Sequence, residues 1–322
     1  MTISPDFKAP VRFGTTPAHV LVTGGTGFIG RLVIKALLAD GHSVSIWTRD
    51  ATAATRAFDA GVRCVQRLEE IPPVPPVDVI INLAGAPIVG PRWTAHRQAV
   101  LLASREGLTR KLVEWIGTRT VKPWLMLSGS AIGYYGIQSP DDATELTEAS
   151  PSQNIFMSRL CQRWEAAAHA AAPHGVRVAC LRFGLVLGRG GALPKLLAPI
   201  RLGVGGRLGT GRQCTSWIHV HDIVRGMGHV WGVAAQPDAT STAQTYNFTA
   251  PGYLSQEAFA RTAAQVLHRP FWLPTPAWPV RLALGEQADV LLEGQRVVPA
   301  NLERTGFRFR FPDASSALQD LC

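Results

Sequence analysis

Three glycines spaced three apart, Gly24-x-x-Gly27-x-x-Gly30 within HVLVTGGTGFIG (residues 19–30), are the residues of this 322-residue chain best suited to chemistry. An apolar run of strand type precedes them and a helix-like segment follows. In that setting Gly24 permits a tight turn, Gly27 lets backbone amides approach a pyrophosphate, and Gly30 allows the helix to pack close to the strand. The positive end of the helix then faces the phosphates. The chemistry implied is dinucleotide binding, with Gly24, Thr26, Gly27, Phe28 and Ile29 as candidate contacts.

Three further strand ends extend the site. The second strand ends Trp47-Thr48-Arg49, where an acid would favour the ribose hydroxyls of NAD. A guanidinium there favours a 2′-phosphate, hence NADP(H); the competing reading of Arg49 is a solvated surface residue. Asp50 precedes Ala51–Phe58 and suits a helix cap better than a ribose contact. The fourth strand ends Asn82-Leu83-Ala84-Gly85-Ala86, and Leu83, Ala84 and Gly85 are small enough at this carboxyl edge for the cofactor to come close. The fifth ends Ser128-Gly129-Ser130-Ala131, which brings two hydroxyls beside the expected nicotinamide position, although serine at a strand end is often only a turn former.

His219 and His221 share a face if their segment is extended, but no third His or Cys stands at ligand spacing, so no metal is expected. Asp222 reads as the cap of the helix that follows.

The elements that must position these residues alternate along the chain. Strand-like runs at Val20–Val22, Ser43–Trp47, Val77–Leu83, Leu125–Leu127 and Val176–Leu181 are separated by helix-like stretches such as Phe28–Ala39, Trp93–Gly117 and Ile155–Ala172. This predicts an α/β fold: a Rossmann-type, doubly wound parallel sheet with helices on both faces and a smaller C-terminal substrate lobe. Residues 1–18 read as a loose leader and 19–182 as the nucleotide-binding domain. A return segment at about 214–250 has its excursion to the sheet around Trp217–Gly228, and residues 183–213 and 251–322 form the smaller lobe. Pro72–Pro76 is a rigid turn, and Trp272–Pro279 is the clearest irregular connection.

Composition narrows the partners. The net charge of +9 is nearly all arginine, with only five lysines and no basic run interleaved with aromatics, so an anionic small-molecule substrate is favoured over nucleic acid. Arg177 and Arg182 interrupt the strongest apolar stretch, near Val176–Leu187, and no membrane span is expected. Residues 1–18 lack an apolar signal core, and Cys64, Cys161, Cys180, Cys214 and Cys322 are scattered without a CxxC, which reads as reduced thiols in a cytoplasmic protein.

GGTGFIG, NLAG, SGSAIGYYG, LRFGLVLG and SWIHVHD, in this order, resemble the extended short-chain dehydrogenase/reductase superfamily, the NAD(P)-dependent epimerase/dehydratases. PRW, Ser104-Arg105, Trp164-Glu165, GGRLGTGRQ, YNFTAP and LGEQADVLLEGQRVVP resemble its atypical nucleoside-diphosphate-sugar epimerase-like branch, over residues 19–320. The resemblance implies NADP(H) binding, Ser130 as the active-site serine, Tyr134 or Tyr135 in a segment like the VYG motif, with Tyr134 either a donor to the substrate or a packed loop aromatic, Ser104 at the place of an asparagine in NxxGT, and pairing of two long helices in a homodimer with Trp115, Phe156 and Trp164 as anchors. Gly209–Asp222 resembles the part that grips a substrate diphosphate, with Arg212 displaced from the usual position, and Arg159 is the nearby cation for a substrate carboxylate or phosphate.

Typical members use Ser with Tyr-x-x-x-Lys, in which the lysine lowers the tyrosine pKa for proton transfer. Here none of Tyr134, Tyr135, Tyr246 and Tyr253 has lysine four residues on, and the helix that should carry the pair reads FMSRL, with Phe156 and Leu160 at the two positions. Two functions follow. One is an NADP(H)-dependent oxidoreductase or epimerase for a small polar, possibly nucleotide-linked, substrate; the other is an NADP(H)-binding redox sensor or partner protein that has lost efficient turnover.

Overall fold

The computed structural model describes residues 10–58, 61–236 and 242–322. The chain runs β1 (His19–Thr23), α1 (Phe28–Ala39), β2 (Ser43–Trp47), α2 (Ala51–Ala57), β3 (Val62–Val65), β4 (Val79–Asn82), α3 (Ala95–Leu102), α4 (Leu108–Thr118), β5 (Leu125–Ala131), α5 (Phe156–His169) and β6 (Arg177–Phe183). It continues with β7 (Leu185–Leu187), α6 (Leu193–Arg201), β8 (Cys214–Thr215), β9 (Trp217–His219), α7 (Val220–Ala234), β10 (Ala243–Phe248), β11 (Leu254–Ser255), α8 (Gln256–Val266), α9 (Ala277–Leu284), α10 (Asp289–Leu292), α11 (Ala300–Arg304) and α12 (Ala314–Leu321).

Seven parallel strands form the sheet in the order β10-β6-β5-β4-β1-β2-β3. Strands covered on both faces read as apolar runs because both sets of side chains are buried, and HVLVT of β1 and VIIN of β4 are buried throughout. Residues of α1 and α7 pack on one face with Leu125 and Leu127, and residues of α4 and α5 pack on the other with Met126. The order reverses between β1 and β4, the place where open α/β sheets bind ligands.

The smaller lobe has a core of its own, built from Leu193 and Leu197 of α6, Phe259 and Ala263 of α8, and Leu318 and Leu321 of α12 around Trp217. Its strands make only two-stranded pairs, β7 with β9 and β8 with β11. The excursion around Trp217–Gly228 meets the sheet by packing and not by pairing: Ile218, Ile223, Val224 and Met227 join the main core, Trp217–His219 pairs with β7, and the strand added to the sheet is β10, against β6.

The expectation of a loose leader over residues 1–18 also changes. Residues 1–9 lie outside the described residues, but Phe13 is fully buried and Val11 nearly so. The Phe13 amide donates to Asp40 Oδ2 at 2.6 Å, Arg12 pairs with Asp40, and the Phe13 ring stands edge-on to Trp231 of α7. Apolar side chains at 11 and 13 dock the segment onto α1 and α7. None of the helices among the described residues is long and apolar enough to cross a membrane.

Candidate functional site

The glycine loop and the end of β4 meet at the carboxyl edge. Gly24 has φ +68°, and a Cβ there would lie 2.6 Å from the Leu83 carbonyl, so both the turn and the approach of the two loops require glycine. Gly27 opens α1 with no side-chain cap, which leaves the first-turn amides of that helix to a ligand. Thr26 is exposed; its carbonyl accepts from Arg31 Nε at 2.8 Å. The Phe28 ring lies against Gly188, Gly190 and Gly191 of the loop after β7, and Ile29 packs on the main core, so these two present backbone and not side chain to the loop.

Below the edge lies a buried polar ladder. Thr23 Oγ1 donates to Asn82 Oδ1 at 2.7 Å and accepts from the Ala84 amide at 3.2 Å, while Asn82 Nδ2 donates to Thr109 Oγ1 and Ser128 Oγ at 2.9 and 3.1 Å. The ladder fixes the Leu83–Gly85 turn. It also corrects Ser128, expected as a cofactor contact: at 1% exposure its hydroxyl faces Asn82. Ser104 likewise serves the chain, accepting from the Ala86 amide and donating to the Leu101 carbonyl, both at 3.0 Å.

Arg49 is exposed at the end of β2 and forms no ion pair among the described residues. Asp50 caps α2, accepting from the Ala53 amide at 2.8 Å.

Ser130 departs from its expected role. It is 2% exposed, and its Oγ donates at 2.6 Å to Glu165 Oε1 on α5. Glu165 in turn takes a two-pronged contact from Arg182 of β6, Nε to Oε1 and Nη2 to Oε2, each 2.8 Å. Arg182 Nη1 donates at 2.9 Å to the Tyr135 hydroxyl, which donates at 2.7 Å to Asn247 Oδ1. Burial works against the Arg182 charge, but Glu165 and Tyr135 more than restore it and hold the guanidinium protonated. Burial pushes the Tyr135 phenol up to about 12 despite the neighbouring arginine. With its one proton committed to a carboxylate, Ser130 is not placed to donate to a substrate oxygen.

Tyr134 is the half-buried member of this group. Arg182 Cζ stands 3.4 Å from its ring centroid, and Tyr135 packs edge-on at 5.4 Å, which fixes the ring from two sides. Among the described residues its hydroxyl has no hydrogen-bond partner.

Met157, Ser158 and Cys161 of α5 face the turn after β5, and Ser158 Oγ donates to the Gly133 carbonyl at 3.2 Å. A Cβ on Gly133 would lie 2.9 Å from Met157 Cε and 3.9 Å from Cys161 Sγ. Phe156 instead packs edge-on to Trp93, and Leu160 is 1% exposed. Phe156, read as the Tyr position, is thus directed toward Trp93. The positions filled by a thioether and a thiol carry no phenol or amine, and burial pushes the Cys161 thiol up to about 12.

Neither expected substrate cation is free. Arg159 Nη1 bonds Asn154 Oδ1 at 3.0 Å at the start of its own helix, and Arg212 pairs with Asp141. Trp115 and Trp164, expected as dimer anchors, are buried within the chain, each 6% exposed.

His219, His221 and Asp320 lie together, their potential ligand atoms all within 4.8 Å of one another. The sequence showed no third ligand because Asp320 comes from α12. His219 Nδ1 accepts from the His221 amide at 3.1 Å and caps α7, so its proton sits on Nε2, which points 3.4 Å from Asp320 without hydrogen-bond alignment. Binding a cation at Nε2 would cost that cap. Asp222, expected as the cap, instead lies inside the first turn, where its carboxylate accepts from the Arg310 and Phe311 amides. Burial, then the charge of His221, lowers the His219 pKa from 6.5 to about 3. The unfolded chain takes up this proton near pH 6.5 and the folded one does not, so stability falls as pH drops through that window. Urea midpoints at pH 7 and 5 are expected to differ by about 2 kcal/mol from this group, a difference that His219→Gln removes.

A Rossmann sheet with a glycine-opened first helix, an uncapped amide turn and a short β4 loop held against it defines a dinucleotide-binding protein. The chain belongs to the NAD dependent epimerase/dehydratase family, whose model matches residues 20–248; a domain of unknown function, DUF1731, matches residues 275–321. It is 38% identical over 304 residues to the epimerase family protein SSP1921 of Staphylococcus saprophyticus, covering 94% of this chain and 99% of that one. It is 37% identical over 311 residues to the mouse epimerase family protein SDR39U1, with coverage of 94% and 99%. The crystal structure of human SDR39U1 (isoform 2) with NADPH superimposes with a TM-score of 0.82 at 33% identity, over 94% of this chain and 98% of that one. UDP-galactose 4-epimerase shares the fold, with a TM-score of 0.72 at 19% identity.

Proposed function

We propose that this protein is an NADP(H)-dependent oxidoreductase or epimerase of the cytoplasm that acts on a small polar, anionic substrate. The observation that carries the cofactor is the pairing of an uncapped, glycine-opened α1 with an exposed Arg49 at the end of β2, supported by the NADPH in the human relative. Bound nicotinamide supplies hydride transfer. The chain's own residues bind the diphosphate at the amides of Gly24–Ile29, receive the 2′-phosphate at Arg49, and hold the nicotinamide half against Leu83–Gly85. Tyr134, with its hydroxyl uncommitted, donates to the reacting oxygen; the Ser130–Glu165–Arg182 group keeps its ring in place.

Titration of NADPH and NADH by fluorescence tests the cofactor assignment. Wild type is expected to prefer NADPH, and Arg49→Ala to lose about 1–2 kcal/mol of that preference at this exposed position. Equal affinities in wild type, or an unchanged ratio in the variant, count against it.

A second reading has an observation of its own. With Met157 and Cys161 facing the turn after β5, and the retained Ser130 donating to Glu165, no Tyr-x-x-x-Lys pair and no free serine hydroxyl serve proton transfer. This favours an NADP(H)-binding sensor if no carbonyl compound oxidises NADPH in its presence.

A further inference from the structure

Arg105 is a buried guanidinium without an anion. It is 8% exposed, and its own helix is distorted around it: residues Ala103–Gly107 form a wide i→i+5 turn between α3 and α4, a feature frequent at functional sites. Its hydrogen bonds go to neutral oxygens, Nη2 to the Ala86 carbonyl at 2.9 Å and Nη1 to Ser104 Oγ at 3.4 Å. Its plane lies over Trp164, 5.2 Å from the ring centroid, and it occupies the space beside Gly85, where a Cβ would come within 2.9 Å of its Cζ. A side chain at position 85 would press on the guanidinium.

The two nearby buried acids are already committed. Glu106 pairs with Arg110 and Arg163, at 2.7 and 2.6 Å, and Glu165 with Arg182. Among the described residues no carboxylate reaches Arg105. A second arginine adds to the imbalance: Arg97 bonds the carbonyl of Pro87, the next residue of the same loop, while its Nε is buried without a partner. Burial and then the charge of Arg97 depress the Arg105 pKa to about 10, with Cys161 opposing. A buried charge left uncompensated is strongly unfavourable, so Arg105, with the half-buried Arg97 adding its charge beside the β4 loop, constitutes a place for an oxyanion.

We propose that Arg105, backed by Arg97, receives an anionic group of the substrate, a carboxylate or phosphate carried next to the reacting carbonyl. The inference rests on the cofactor reading above and deepens it, since the anion is assigned to Arg105 and not to Arg159 or Arg212, both of which are already bonded within the chain. The oxyanion could instead belong to the cofactor diphosphate, and the test separates the two sources.

Oxamate, which carries a carboxylate beside a carbonyl, and inorganic phosphate are titrated into the NADPH-loaded protein and followed by nicotinamide fluorescence. The same titrations on the free protein, followed by tryptophan fluorescence through the stacked Trp164, hold even if NADPH does not bind. One of the two anions is expected to bind wild type, with affinity lowered at least 30-fold in Arg105→Gln and largely kept in Arg105→Lys, while NADPH affinity changes less than threefold. Loss of NADPH affinity by the same factor assigns the guanidinium to the cofactor and overturns the proposal, as does equal binding of both anions by Arg105→Gln or no binding by wild type. If Arg105→Gln does not fold, Arg97→Gln is measured in its place, and an unchanged anion affinity there overturns the proposal equally.

Discussion

Glu165→Ala is expected to destabilise the protein by about 3–5 kcal/mol, the largest effect of any single side chain in the site. The substitution leaves the Arg182 guanidinium, 4% exposed, in a dry interior with only Tyr135 to satisfy it, and frees Ser130 as well. Urea unfolding measures it without the screening that guanidinium salts bring. The double variant Glu165→Leu with Arg182→Met removes both charges together and should recover most of the loss, because a buried pair contributes little net stability although breaking it is costly. A loss below about 1 kcal/mol for Glu165→Ala would show that water reaches the pair, contrary to the burial described.

The second large effect concerns turnover. Tyr134→Phe is expected to lower NADPH oxidation at least 100-fold, about 2.7 kcal/mol of transition-state stabilisation, with NADPH affinity unchanged. Ser130→Ala should shift the unfolding midpoint but cost less than tenfold in rate, because its proton already belongs to Glu165. The assay is NADPH consumption with keto acids, sugar nucleotides, quinones and aldehydes. A greater rate loss for Ser130→Ala than for Tyr134→Phe reverses the assignment.

Much of the cofactor half was legible in the sequence. The glycine spacing, the apolar strands buried on both faces and the Asp50 cap are local patterns, set by neighbours within a turn or two, and such patterns report burial and backbone conformation directly. β3 escaped the list of apolar runs because VRCV is only half buried at a sheet edge. The catalytic half was less legible for a different reason. Ser130 meets Glu165 across 35 residues, and His219 meets Asp320 from the far end of the chain, so which polar group crosses to which is decided by strand order and helix rotation. Ser104-Arg105, Trp164-Glu165 and the arginine of LRFGLVLG were visible as motifs, yet periodicity offered no means of telling that one arginine has a carboxylate and the other has none. The rotation of α5 has the same origin: composition marks a helix, and only packing shows that Met157 faces the turn after β5 while Phe156 meets Trp93.

The placement of β10 has a consequence for biosynthesis. Strands β1 to β6 leave the ribosome in an order that lets each find a partner, but the outer edge of β6, with Val178, Ala179, Cys180 and Leu181, is covered only when Ala243–Phe248 emerges after α6 and α7. Until then a half-made chain displays an open apolar edge, the kind of surface along which nascent chains pair with one another. The rate of translation through residues 184–242 therefore sets how long that edge stays open to a chaperone or to another nascent chain.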